Sequence, residues 1–179
     1  VSQFGDLTDL NLSRTQKKYQ LIPHSISKLE EGRHSQLEAG LDARYAFSQM
    51  VSGHFTLNPD FATVEADQEQ INLTRFELRL PEKRNFFLEG SEIYGQRIRL
   101  FYSRRIADIY GGLKVYGKAG PYEFSGMSTQ TEKDESLAQE SANFSVFRLK
   151  RDVMKSSTVG LLMANKLVGG KNYGTVGLD

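Results

Sequence analysis

The sequence contains no cysteine and no tryptophan, and only 4 of its 179 residues are proline. Without cysteine there are no disulfide staples, no thiolate metal sites and no thiol nucleophile. That absence is compatible with an oxidising compartment without requiring one. An excess of charge is also missing. With 23 basic and 22 acidic side chains the formal net charge is +1, which gives a polyanion no bulk attraction, and no basic–aromatic stripe suggests a nucleic-acid partner. No apolar run approaches the ~20 residues of a membrane helix, and no charged start followed by an apolar core marks a signal peptide. A mean hydropathy of −0.47 reads as soluble, but a membrane β-barrel hides its apolar surface in every second residue, so the average excludes little.

What is present is alternation. In 36–48, Leu37, Ala39, Leu41, Ala43, Tyr45 and Phe47 alternate with Gln36, Glu38, Gly40, Asp42, Arg44, Ala46 and Ser48. Period two means a strand with one apolar and one polar face. Its length fits the ~9–11 residues of a membrane-spanning strand better than an ordinary globular one. After a turn near Gln49-Met50 the pattern resumes through Val51, Gly53, Phe55 and Leu57, forming a hairpin with matched faces.

Further along, 97–102 alternates, as does 109–118, where Ile109, Gly111, Leu113, Val115 and Gly117 share one face. Ala119-Gly120-Pro121 turns the chain into 122–129. A hydrophilic loop at 130–141 leads to a long hairpin, 143–151 with 158–165, and Gly169-Gly170-Lys171-Asn172 turns into a last strand over 173–178. The pattern predicts nine or ten antiparallel strands with no convincing helix. Glu65–Gln70 is the one helix-like window, too short to stand alone. Residues 1–17 read as a linker or loop, and 18–179 as one β domain with an inserted or constricting segment at 58–90. The last strand stops early and would leave an open edge, so the expectation is part of a longer sheet.

The 58–90 segment concentrates charge. Asp60, Glu65, Asp67 and Glu69 form an acidic run without a base, and Arg75, Glu77 and Arg79 alternate with Phe76, Leu78 and Leu80. Lys83, Arg84 and Glu89 follow, and beyond the segment come Arg97, Arg99, Arg104 and Arg105. In a soluble sandwich these residues form a solvated face. In a barrel they line a wet interior as a paired network, because an unpaired charge facing lipid is costly. The candidate network is therefore Asp60, Glu65, Asp67, Arg75, Glu77, Arg79, Lys83, Arg84, Glu89, Arg97, Arg99, Arg104 and Arg105. It is expected to bring Glu65 and Asp67 within reach of Arg75, Arg84 or the 97–105 arginines. The carboxylates lack the glycine and donor spacing of a calcium loop, so no metal is assigned. His24, His34 and His54 show no ligand spacing, no serine sits in a nucleophile elbow, and no cofactor motif is present.

The motifs NPDF-x-x-VEAD, NLTRFEL, PEKR-x-FFLEG and LFYSRRI resemble the signature of a large family of Gram-negative outer-membrane proteins of unknown function. The resemblance runs from about Leu37 to the end of the chain. It implies a C-terminal barrel-like domain that follows a domain similar to family-9 carbohydrate-binding modules, which this sequence lacks together with later barrel strands. The expected class is all-β, an antiparallel meander forming the N-terminal part of an outer-membrane barrel. Expected partners are outer-membrane lipid and a glycan or small solute, with a role in solute passage or surface glycan handling without catalysis. Two other readings stay open: a soluble β-sandwich carbohydrate-binding module, and a glycoside hydrolase with a carboxylate pair.

Overall fold

Alternation at period two commits each strand to two unlike faces, and a computed structural model shows how the chain uses them. The structure describes residues 18–28, 36–59, 80–133, 140–154 and 157–179. Eight strands follow one another: β1 (Tyr19–Lys28), β2 (Gln36–Ala46), β3 (Val51–Leu57), β4 (Ile109–Ala119), β5 (Tyr122–Thr131), β6 (Ala142–Met154), β7 (Ser157–Val168) and β8 (Lys171–Leu178). Each pairs antiparallel with the next, giving one eight-stranded meander in sequence order. The all-β antiparallel meander is thus as the alternation predicts. The sheet is not closed: β1 and β8 are each paired on one side only.

Register sorts the side chains into two sets. Arg44, His54, Lys114, Met127 and Val146 lie in one cross-strand row, and Tyr116, Ser125, Arg148 and Leu162 lie in the next row of the same face. Phe55 and Leu113 belong to the opposite face, as do Val115, Gly126, Phe147, Met163 and Val176. The burial is inverted relative to a soluble sheet with one wet face. The first set is buried, with His54, Lys114 and Arg148 almost fully enclosed, while Leu113 is 54% and Val176 61% exposed.

The cover over the first face is the connection between β3 and β4. Its described part, 80–108, carries a single-turn helix α1 (Asn85–Leu88) and 3₁₀ turns at Ser91–Tyr94 and Ser103–Arg105. Phe86, Phe87, Tyr94 and Ile106 from this connection and Ile109, Met127, Val146 and Leu162 from the sheet form one buried cluster. The helical turns were not legible as helices because each is too short to show a 3.6-residue period.

Two expectations change. Residues 97–102 alternate but form no strand; they run unpaired within the connection, where Leu100 and Phe101 pack on the core and Arg97 and Ile98 stay exposed. Ile109 does not share a face with Leu113. A register shift between Ile109 and Gly111 turns Ile109 into the core and leaves Tyr110 exposed, the effect of one extra residue in a strand. The acidic run and the helix-like window within 60–79 lie outside the described residues.

Phe86 seats on the sheet where Gly112 leaves room. A Cβ there would lie 2.7 Å from the Phe86 ring and 3.1 Å from the Thr129 methyl. Gly112→Val should therefore lift the connection off the sheet at a cost of about 1–3 kcal/mol. Limited proteolysis of the connection and a lowered unfolding midpoint report it. Gly126→Val, on the opposite face with only the Phe147 ring within 4 Å of the new Cβ, should leave both unchanged.

Candidate functional site

Where the connection meets the sheet, the strands present cations and the connection presents carbonyls. A short helical turn leaves its last carbonyls without intrahelical partners. The ammonium of Lys114 on β4 donates to two of them, Phe86 O and Glu89 O, at the C-terminal end of α1. It also lies 5.1 Å from the centre of the Phe86 ring and 5.3 Å from that of Tyr116. The guanidinium of Arg148 on β6 does the same for the following turn, donating to Ile93 O at 3.3 Å and Gly95 O at 3.4 Å. Its remaining hydrogens reach both carboxylate oxygens of Asp179, at 2.6 and 2.9 Å.

Glu89, just past α1, is the anionic centre of the seam. Arg44 on β2 pairs with it at 2.7 Å, and the Tyr116 hydroxyl donates to it at 3.3 Å. The His54 ring places Nδ1 2.9 Å from Glu89 and Nε2 3.6 Å from Asp42, at ion-pair distance but not aligned as linear hydrogen bonds. Among the described residues of the connection, Glu82 and Glu89 are perturbed carboxylates. Burial pushes the Glu89 carboxyl up, but His54, Arg44 and Lys114 outweigh it and hold it below its usual range. Burial acts the same way on Glu82, and hydrogen bonds from Arg84 and Ser103 outweigh it there. Gly90 then turns the chain in the left-handed region at φ 64°. Any side chain there would be strained, and its Cβ would meet the Tyr116 ring at 2.6 Å.

The connection is knitted internally by Arg84. It pairs with Glu82 at 2.9 Å, donates to Ser103 O and Ile106 O at 2.9 Å each, and stacks 4.2 Å above the Phe87 ring. The Tyr102 hydroxyl donates to Leu80 O at 2.9 Å and accepts from Leu80 N at 2.8 Å, tying the start of the described 80–108 stretch to a point near its end. The Lys114 ammonium and the Arg84 and Arg148 guanidinium groups are thus engaged by protein oxygens, whereas both ring nitrogens of His54 and Asp42 Oδ1 are buried without a hydrogen bond. The seam is built to hold a segment in place.

A family model described as a domain of unknown function, DUF5916, matches residues 18–115, from β1 through most of β4 with the whole connection between β3 and β4. The chain belongs to the DUF5916 family. No curated protein and no solved structure matches it. The family match begins before Leu37 and stops well short of the chain end, so it covers β1 but none of β5–β8.

In this DUF5916 chain the sequence-derived network is only partly placed. Asp60, Glu65, Asp67, Arg75, Glu77 and Arg79 lie outside the described residues. Arg84 and Glu89 are brought to the interior but to different partners, Arg84 to Glu82 and Glu89 to Arg44 and His54. Lys83 and Arg104 are half-buried, and Arg97, Arg99 and Arg105 are exposed. His54, Lys114, Arg44 and Arg148 went unrecognised. The usable signal for Lys114 was a lysine on the strand face that also carries Gly112, where a missing side chain makes room for a covering segment.

Lys114→Met should cost about 3 kcal/mol or more, because it leaves two buried carbonyls and part of the Glu89 charge without a donor. Arg44→Ala, at a partly exposed pair, should cost at most ~1 kcal/mol. Chemical denaturation of both variants separates the two. The pH response has a fixed sign. Glu82 and Glu89 sit below their unfolded values, so their contribution is complete above the ordinary carboxylate range of ~4.3 and is lost as pH falls through the folded values. Protease protection of 80–108 should therefore fade on acidification, and less steeply in Glu89→Gln.

Proposed function

We propose that this chain is a section of the wall of an outer-membrane β-barrel, with the β3–β4 connection held against its inner face as an internal plug. The apolar face lies against lipid. The plug narrows a route for a small polar solute, and the protein acts without catalysis. The observation that carries this reading is the inversion of burial: Leu113, Phe147, Met163 and Val176 are exposed while His54, Lys114 and Arg148 are enclosed. In water that arrangement leaves a broad apolar face uncovered, which soluble monomers avoid.

Three further features support it. Six of the eight strands are ten residues or longer, the length a tilted spanning strand needs. The connections at one end of the sheet are short, 47–50, 120–121 and 155–156. At the other end lie 29–35, 58–108 and 132–141, with 169–170 the one short exception. Outer-membrane barrels have this asymmetry, with short turns inside and long loops outside. Near the short-turn end, Tyr19, Tyr45, Phe47, Tyr122 and Phe124 ring the apolar face, with Tyr45 and Phe47 in edge contact at 5.0 Å, as an interfacial aromatic girdle would.

Eight strands closed on themselves enclose only side chains. A lumen that holds the turn carrying Phe86, Phe87 and Tyr94 needs a wider barrel, so closure would take further strands on the open edges of β1 and β8. A domain similar to carbohydrate-binding modules, as the resemblance implies, would add surface glycan handling to the same assembly.

Leu113→Arg decides between this and a soluble sandwich binding module. At a lipid-facing mid-strand site it should cost about 2–4 kcal/mol and impair insertion. On a half-exposed soluble surface it should stay within ~0.5 kcal/mol. Within a barrel whose β1 and β8 edges are closed, the expected outcome is a protein that needs detergent or vesicles and a variant that fails to insert. A monomer well behaved in plain buffer, indifferent to Leu113→Arg, would sink the membrane reading.

A further inference from the structure

One group in the seam is left unsettled by its neighbours. The His54 ring projects from β3 where wall and plug meet, is 1% exposed, and makes no hydrogen bond through either nitrogen. Each nitrogen nevertheless faces a carboxylate. Nδ1 lies 2.9 Å from Glu89 of the plug, and Nε2 lies 3.6 Å from Asp42 of the wall, whose Oδ1 is likewise buried without a hydrogen bond. The Phe86 ring closes a further side, in edge contact at 5.1 Å.

Resting on the plug reading above, we propose that His54 is a pH-operated latch: as an imidazolium it clasps wall and plug together, and on losing its proton it lets the plug loosen. The sign follows from the donors available. An ionised carboxylate only accepts hydrogen bonds, whereas a neutral imidazole has one donor nitrogen and one acceptor. Between two carboxylates a neutral ring therefore turns one lone pair towards an anionic oxygen. Only the imidazolium can donate on both sides, to one group on the wall and one on the plug. Among the described residues the other charges beside the ring are its cross-strand neighbours, Arg44 on β2 and Lys114 on β4, with Glu92 of the connection acting on Lys114. Both cations oppose a third, but both are turned to the plug. Arg44 pairs with Glu89 at 2.7 Å, and Lys114 donates to Phe86 O and Glu89 O. Tyr116 on β4 also donates to Glu89, so Asp42 is left with His54 as its cation partner among the described residues. Histidine is the side chain that changes charge between about pH 5 and 8. The latch is shut on the acid side of that window and slack on the alkaline side, the opposite sense to the loss of Glu82 and Glu89 at lower pH.

The test is protease protection of 80–108 across about pH 5.5 to 8.5, in a barrel whose β1 and β8 edges are closed, with cleavage normalised to an unfolded substrate at each pH. Wild type should lose protection as pH rises, cleavage quickening about tenfold, the worth of one hydrogen bond to a charged group. His54→Gln carries no titrating ring and should be cut at one rate throughout. Asp42→Asn separates a latch from a merely structural carboxylate. Its amide can donate to a neutral Nε2, so it should stay protected at the alkaline end where wild type is cut, whereas a structural role predicts less protection at every pH. Flat protection in wild type, or Asp42→Asn following the wild-type curve, overturns the latch and leaves the membrane reading to Leu113→Arg. If His54→Gln fails to fold, Asp42→Asn decides alone, at a carboxylate only 25% exposed but free of other ion pairs among the described residues. The same pH dependence in a chain that never enters vesicles upholds the latch as a property of the seam and overturns the membrane reading.

Discussion

The structure depends on a buried ammonium. Lys114 projects from the middle of β4 and is fully enclosed, and a charge there is tolerable only if oxygen surrounds it. The oxygen comes from the end of α1, a turn so short that the bond from Glu89 N to Asn85 O closes it, and Phe86 O and Glu89 O take the ammonium as donor. Each side thus cures the other's deficiency. Arg148 repeats the arrangement one turn later with Ile93 and Gly95. A segment with almost no regular secondary structure is in this way held to a sheet by cations set into the sheet.

Around these two anchors the apolar contacts take their positions. Phe86 enters the space at Gly112, Tyr94 donates or accepts at the Ser125 hydroxyl 2.6 Å away, and the ring pairs Phe86–Phe87 and Tyr94–Phe101 close the core. The mixture is unlike a soluble core, in which aliphatic layers meet from two sides. Here one side is a strand face that mixes His54, Lys114 and Arg148 with Met127, Val146 and Leu162, the other is a folded connection, and Leu113, Phe147, Met163 and Val176 are left on the outside.

Much of the fold was legible from residues. The hairpins at 36–57, 109–131, 142–168 and the final turn at Gly169-Gly170 follow from alternation and turn chemistry. The unpaired stretch 97–102 was misread because Arg97, Ile98, Arg99 and Leu100 alternate for another reason. Leu100 packs on the core while the arginines stay in solvent, with no neighbouring strand involved. Ile109 was misplaced because a bulge changes facing by one residue without changing composition.

By itself the sequence determined that the chain is a meander of two-faced strands with charge gathered between β3 and β4, since period and turn residues act over a few neighbours. Which polar face would be covered, and by what, only the tertiary structure decided. Arg148 and Arg151 are both strand arginines of similar surroundings in sequence, yet one is enclosed by carbonyls and a carboxylate and the other lies outside over Tyr122. The reason is physical: burial of a charge is set by the oxygens that reach it, and those of Arg148 come from residues 31 to 55 positions away in the chain.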